Sequence, residues 1–414
     1  MRCTAIAADW LTSVWDQNAG LAVMGPAAAV VEEVTGDWLV ELFGLPAGTS
    51  TGFVTGAQAA NVTGLAVGLQ TVLERVGWDV AVDGLFGAPR PPILVGAQRH
   101  GTVDRALRML GCGTPEIVEA DDQGRISLPA LRRALAEQSV PALVCLQAGN
   151  VNTGAVDPLR EACELVHAAG GWVHVDGAFG LWAAASPQHR ALVDGIECAD
   201  SWATDAHKWL NVPYDSGLVF CADAQAHRRT MSAAGSYLVL AADGVRDGMN
   251  YGPEHSRRAR GFAVHAALRS LGRRGVTELV DGSCASARRF AEILDADPQV
   301  TVLNEVVLNQ VLVRFHDPSG SQTGDPTVRA DADDAHTRAV IDRIQAEGTC
   351  WVGGTIWQGR AAMRISVSGF LTDEQDVRLA CAAMLRCADG EDGARADSGA
   401  ARAALVPAAV GPAH

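Results

Sequence analysis

The stretches His174-Val-Asp-Gly-Ala-Phe-Gly180 and Ser201-Trp-Ala-Thr-Asp-Ala-His-Lys-Trp-Leu-Asn211 decide how this chain is read. The first closes an apolar run ending in His-Val-Asp. Such a run reads as a buried strand that delivers a carboxylate at its carboxyl end, where ligands of open α/β sheets collect. The second reads as another buried strand running out into His207, Lys208 and Trp209. Taken singly, an Asp at a strand end is more often the N-cap of a following helix, and a Lys is more often solvated surface. Together they point to chemistry, because a lysine between His and Trp after a buried strand is in poor company for a solvated ammonium.

An acid so placed can keep a pyridinium nitrogen protonated, and a lysine can hold an aldehyde as a Schiff base. Those are the two demands of pyridoxal 5′-phosphate (PLP), whose ring draws the electron pair left on Cα after a bond breaks. Asp176 and Lys208 are the candidate pair. Upstream, Thr51-Gly-Phe-Val-Thr-Gly-Ala-Gln-Ala-Ala-Asn61 reads as strand, turn and helix N-terminus, a pattern whose free N–H groups and helix dipole suit a phosphate. Any tight strand-to-helix turn needs glycine, so this signal is weak alone. Ile93-Leu-Val-Gly-Ala-Gln-Arg-His100 reads as a strand ending in a polar group, with a helix over Val103 to Leu110. A His before a helix is by itself ordinarily a cap or a core residue.

On its His-Val-Asp-x-Ala strand end (His174 to Ala178) and its His-Lys-Trp tripeptide (His207 to Trp209), the chain resembles the group II PLP-dependent amino acid decarboxylases over about residues 5 to 385. The resemblance implies a Schiff base on Lys208, Asp176 at the pyridine nitrogen, Ala178 against the ring and His207 near the phosphate. It puts His100 on the opposite ring face, as a stacking and catalytic residue, and makes Thr55, Gly56, Ala57 and Gln58 the phosphate candidates. Ala57 and Gln58 stand where the family has a glycine and a hydroxyl residue. In Gln147-Ala-Gly-Asn-Val-Asn-Thr-Gly154 the family's Gly-Thr-Thr is absent. Asn150, Asn152 or Thr153 is left to bond the cofactor's phenolic oxygen, and a turn built from Asn and Gly is an equally good reading of each. Tyr237, on a polar Gly-containing stretch that reads as a loop, matches the tyrosine that returns a proton to Cα after carbon dioxide leaves.

The expected fold is therefore α/β, of the fold-type I PLP class. A large domain with a mainly parallel, doubly wound sheet is joined to a small C-terminal α/β domain. The expected divisions are a helical segment over 1–48, the PLP-binding domain over 49–275, the small domain over 276–388 and a disordered tail over 389–414. A long helix is expected from Pro253 to Leu271, and strands at Gln310 to Phe315 and Ala362 to Val367. Arg364 is a weak candidate for binding a carboxylate. Phe179 and Trp182 read equally as core or pocket.

Family members begin with a helical arm that wraps the partner subunit, and this chain starts just after it. The expectation is that an upstream segment belongs to it, because Leu11, Val14, Trp15 and Leu21 would otherwise lack packing partners.

A formal net charge of −15 argues against nucleic acid or an anionic membrane as partner. No apolar run reaches membrane-spanning length and no signal peptide is evident, so a cytoplasmic homodimer acting on a small amino acid is expected. The ten cysteines show no Cys-x-x-Cys pair and the eleven histidines no metal-ligand spacing, so no metal is expected. Cys112, Cys145, Cys221 and Cys381 read as reduced core residues. The expected activity is decarboxylation of an L-amino acid to its amine by a PLP-dependent carboxy-lyase. An aminotransferase, a carbon–carbon lyase or aldolase, and a non-catalytic PLP-fold binding subunit are the alternatives.

Overall fold

The computed structural model describes residues 2–232, 245–318 and 325–390. By internal contacts the chain divides into two units. One runs up to Arg288 and includes Asn304–Gln310 and Val367–Thr372; the other comprises Arg289–Leu303, Val311–Ser366 and the chain from Asp373. The helices before residue 48 lie within the first unit, and its main segment ends thirteen residues beyond 275, at Arg288.

The first unit begins with helices α1 (Arg2–Trp15) and α2 (Pro26–Phe43), followed by strand β1 (Ser50–Val54), helix α3 (Ala57–Glu74) and the short α4 (Val80–Asp83). Strands and helices then alternate: β2 (Ile93–Gly96), α5 (Gly101–Met109), β3 (Glu116–Val118), α6 (Leu128–Ala136), β4 (Leu143–Gln147), α7 (Leu159–Ala168) and β5 (Trp172–Asp176). After three short 3-10 turns come β6 (Ser201–Asp205), β7 (Gly217–Cys221), α8 (Ala224–Met231) and the first part of α9 (Gly261–Leu294). The sheet order is β1-β7-β6-β5-β4-β2-β3. The β2–β3, β2–β4, β4–β5 and β5–β6 pairs are parallel, and β7 runs antiparallel to both neighbours.

Strands β1, β4, β5, β6 and β7 are buried along their whole length. Their near-continuous apolar runs are what a sheet covered on both faces requires. Register sets the end of the sheet: Gln147 pairs with Asp176, and Asp176 with Ala203. The polar strand ends are thereby gathered at the carboxyl edge. Phe179 and Trp182 both join the core below it.

The second unit carries β8 (Val300–Val302), β9 (Gln310–Phe315), α10 (Pro326–Glu347), β10 (Gly353–Trp357), β11 (Arg360–Ser366) and α11 (Glu374–Ala388), with sheet order β10-β11-β9-β8. Helix α11 opens on a capping box between Asp373 and Asp376, which satisfies two N–H groups at its start. Arg364 lies on β11 and donates to Ser366 Oγ at 2.9 Å.

Two expectations are corrected. The long helix begins at Gly261 instead of Pro253 and continues to Leu294, with a break at Gly272 (φ 62°). Residues before Gly261 are held out of helical geometry by an antiparallel bridge from Arg258 to Asn18 and by Arg257, which forms a buried ion pair with Glu32 at 2.7 Å. Leu21 is buried, so it does not lack packing partners, whereas Leu11, Val14 and Trp15 are 48%, 78% and 51% exposed. Of the four cysteines read as core, Cys145, Cys221 and Cys381 are buried and Cys112 is partly so.

Helix α3 lies close on the sheet because two glycines one turn apart face it. A Cβ at Gly64 would come 2.5 Å from His174 Cε1, and one at Gly68 would come 2.7 Å from both Leu143 Cδ1 and Trp172 Cδ1. Alanine is the better helix former by about 1 kcal/mol, yet here the clash is with rigid ring and strand atoms. Gly64→Ala is therefore expected to destabilise by about 1–3 kcal/mol, read as a lowered Tm in thermal denaturation; an unchanged or raised Tm would show that α3 can lift off β5 freely.

Candidate active site

Asp176 stands at the end of β5, 4% exposed. Its carboxylate accepts from Asn61 Nδ2 at 3.1 Å and from the Ala178 N–H at 3.2 Å. Asn61 Oδ1 lies 3.0 Å from His174 Nε2, and His174 Nδ1 lies 2.8 Å from Ser201 Oγ, which accepts from Trp172 Nε1 at 3.1 Å. With the His174 ring neutral, as its burial dictates, these contacts have one consistent assignment. The indole N–H donates to Ser201, the Ser201 hydroxyl to His174 Nδ1, the His174 Nε2–H to Asn61, and the Asn61 amide to Asp176. Burial holds the His174 ring down to about 3, which keeps it neutral. A line of donors crosses from β6 through β5 to α3 and fixes the acid.

Burial pushes the Asp176 carboxyl up, opposed by the charges of Lys208 and His100 and by the bonds from Asn61 and Ala178. The sheet topology thus brings the positive charge of Lys208 to bear on a buried acid 32 residues earlier in the chain. Lys208 follows β6, its side chain 41% exposed and its Nζ 3.0 Å from Asp205 Oδ2. Asp205, the last residue of β6, places Oδ1 2.6 Å from the Ala57 N–H and 3.4 Å from His207 Nε2. The Ser216 N–H donates to His207 Nδ1 at 3.3 Å, and the imidazole stacks on Tyr214 with centroids 4.0 Å apart. Burial is the chief cause that lowers the His207 pKa.

Thr55 and Gly56 form the turn from β1 into α3, and Ala57 is the first helical residue. Gly217 permits close approach there, since a Cβ on it would stand 2.4 Å from Gly56 Cα. Gln58 turns its amide to the Thr102 carbonyl at 3.2 Å. His100 is the N-cap of α5: its Nδ1 accepts from the Thr102 N–H at 3.3 Å and lies 2.8 Å from Thr102 Oγ1. Ala178 follows Asp176 and accepts the Asp205 N–H at 2.9 Å, which ties the ends of β5 and β6 together.

Asn150 stands outside this cluster of bonds. Its Nδ2 donates to the Gln98 carbonyl at 2.9 Å, and its Oδ1 accepts from the N–H groups of Asn152 at 2.9 Å and Thr153 at 3.1 Å, as a turn-forming Asn does. Tyr237 lies outside the described residues.

Three participants were not singled out in the sequence: Asn61, Ser201 and Asp205. Each lies inside a quoted motif, and only Asp205 left a trace, as an acid closing a buried strand just before Lys208. The partners of Asn61 and Ser201 are 113 and 27 residues away along the chain, so no local pattern marks them. Among the described residues no group of His, Cys, Asp and Glu is arranged to hold a metal ion.

The side chains present suit PLP. A buried acid, a nearby primary amine and a helix N-terminus meet at one sheet edge, and the amide at that terminus already takes an anionic oxygen, from Asp205, at 2.6 Å. Comparison with known proteins agrees. The sequence profile described as "Pyridoxal-dependent decarboxylase conserved domain" matches residues 1–316. An aromatic-L-amino-acid decarboxylase from Bacillus atrophaeus is 30% identical over 319 residues, spanning 75% of this chain and 64% of that protein. An L-2,4-diaminobutyrate decarboxylase from Rhizobium meliloti is 28% identical, spanning 88% and 71%. The crystal structure of Oryza sativa TDC with PLP and tryptamine shares the fold, with a TM-score of 0.86 at 23% identity over 94% of this chain and 81% of that one. No helix among the described residues is long and apolar enough to cross a membrane.

The neutral His174 has a consequence for acid stability. The unfolded chain takes up a proton on this ring near pH 6.5, whereas the folded protein refuses it down to about pH 3. His227, also buried, behaves alike. The stability these rings contribute is whole above about pH 6.5 and is lost as pH falls through that window, by up to about 1.4 kcal/mol per pH unit for each ring. The Tm is expected to fall steadily from pH 7 toward pH 4, and His174→Gln, less stable at pH 7, should show a shallower slope.

Proposed function

The chain belongs to the pyridoxal-dependent decarboxylase family, and from that premise we propose that it removes the carboxylate of an L-amino acid as carbon dioxide and releases the amine. The observation that carries the reading is the buried Asp176 carboxylate, bonded by Asn61 and the Ala178 N–H, at the sheet edge where β6 ends just before Lys208. PLP, when bound, supplies an aldehyde and an electron-accepting ring.

Lys208 would be the amine that anchors the aldehyde. Asp176, oriented by Asn61, would hold the ring nitrogen protonated: burial penalises its charge, and a cation brought against it relieves that penalty more fully than water-screened groups could. His100 and Ala178 would bound the two faces of the ring. Thr55, Gly56, Ala57 and Gln58, with His207 beside them, would form the phosphate seat at the N-terminus of α3. Asn150, Asn152 or Thr153 would bond the cofactor's phenolic oxygen, from the turn that Asn150 Oδ1 closes. The proton returning to Cα is assigned to Tyr237 on the resemblance alone. The acting form would be a cytoplasmic homodimer.

The relatives named for aromatic amino acids and for L-2,4-diaminobutyrate set the first substrates to try. Purified, PLP-loaded protein offered each amino acid separately is expected to release amine and carbon dioxide in equal amounts from one of them. A keto acid or aldehyde without carbon dioxide would replace this reading by an aminotransferase or a lyase. Lys208→Ala should lower turnover on the order of 10³-fold or more with an unchanged circular dichroism spectrum, and sedimentation should report a dimer.

A further inference from the structure

Asp205 occupies an unusual position for a carboxylate. Its side chain is 4% exposed and Oδ2 lies 3.0 Å from Lys208 Nζ. Its Oδ1 takes the N–H of Ala57 at 2.6 Å. The N-cap residue of α3 is Gly56, which offers no side-chain cap. An acid from the end of β6 thus caps the helix from 148 positions away in the chain. The seat that would take a phosphate already holds an anion, and the lysine that would take the aldehyde is that anion's counter-ion. A phosphate addressing the same N–H meets a like charge there, and like charges brought together in a buried site oppose each other's ionisation.

We propose that Asp205 sets how strongly this chain holds the phosphate of its cofactor, by standing as a resident anion in the phosphate seat that PLP displaces from Ala57 and Lys208 on binding. The inference rests on the cofactor reading above. It follows that the phosphate adds little to binding here, so the chain discriminates weakly between PLP and unphosphorylated pyridoxal. Removing the charge of Asp205, while keeping an acceptor for the Ala57 N–H, restores that discrimination.

The test is the dissociation constants of PLP and of pyridoxal for the cofactor-free full chain and for Asp205→Asn, measured by fluorescence quenching and by a visible band that Lys208→Ala abolishes. Asp205→Asn is expected to tighten PLP by about tenfold or more relative to pyridoxal, as loss of a like charge beside the phosphate implies, since losing the Lys208 counter-ion acts on both aldehydes alike. Inorganic phosphate should raise the Tm of Asp205→Asn and leave that of the unaltered chain in place. Asp205→Ser is the second variant, with the same expected direction, should the asparagine fold poorly. PLP and pyridoxal both unshifted, or shifting by one common factor, overturns the proposal alone. No Lys208-dependent uptake of either aldehyde by any form overturns the cofactor reading, and the proposal with it.

Discussion

The arrangement depends on a charge taken out of water at the end of β5. A carboxylate at 4% exposure is tolerable only if its oxygens are bonded and some positive charge faces it. Asp176 has both. Asn61 and the Ala178 N–H bond it, and the charge of Lys208 offsets part of its burial. Its nearest polar support is itself supported, because Asn61 can offer its amide to the acid only while His174 offers Nε2–H to the Asn61 oxygen. His174 can do so only while Ser201 and Trp172 hold its other nitrogen as an acceptor. A neutral histidine in the core is thus a positioning element for a charged group at the edge.

Helix α3 joins the two halves of the site. Its first residue meets Asp205, its second turn supplies Asn61, and Gly64 and Gly68 let it lie against β5 and β4. The N-terminal anion seat and the prop of the strand-end acid are therefore parts of one rigid body. Strain introduced at Gly64 reaches His174 directly and, through Asn61, the acid. This gives a physical reason for small residues at those helical positions, where helix propensity alone favours larger ones.

Lys208 and Asp205 show how the same elements hold a reactive amine in check. A partly exposed ammonium three residues beyond a buried acid at a strand end is drawn to it, and the acid is in turn drawn to the α3 terminus. Lys208, Asp205 and the N-terminus of α3 thus form one electrostatic unit, with His207 as a further member. The Lys208 ammonium and the N-terminus of α3 consequently share one carboxylate, though the two lie on different elements.

The elements that carry the candidate residues were legible in the chain wherever the motif is local. The His174 to Ala178 strand end, the His207 to Trp209 tripeptide and the glycine-bearing turn into α3 each declare their element, since apolar runs, breakers and caps act over a few residues. His100 shows where that legibility ends: its position before a helix was readable, and the pairing of its Nδ1 with both the N–H and the hydroxyl of Thr102 was not. Asn150 was open between a cofactor contact and a turn; its Oδ1 takes the N–H groups of Asn152 and Thr153, and its Nδ2 reaches the Gln98 carbonyl, a partner no local pattern marks. The helix expected from Pro253 begins at Gly261 because Arg257 and Arg258 bind residues near the start of the chain, a claim that local periodicity cannot register.

By itself, the sequence determined the α/β class, the strand that ends in Asp176 and the lysine after the next strand, because buried-strand composition and strand-end acids are properties of neighbouring residues. The tertiary structure alone decided that Asn61, His174 and Ser201 form one line of donors and that Asp205 caps α3. Those bonds join residues far apart in the chain, and they exist only once parallel pairing has brought β5 and β6 to a common edge beneath the helix.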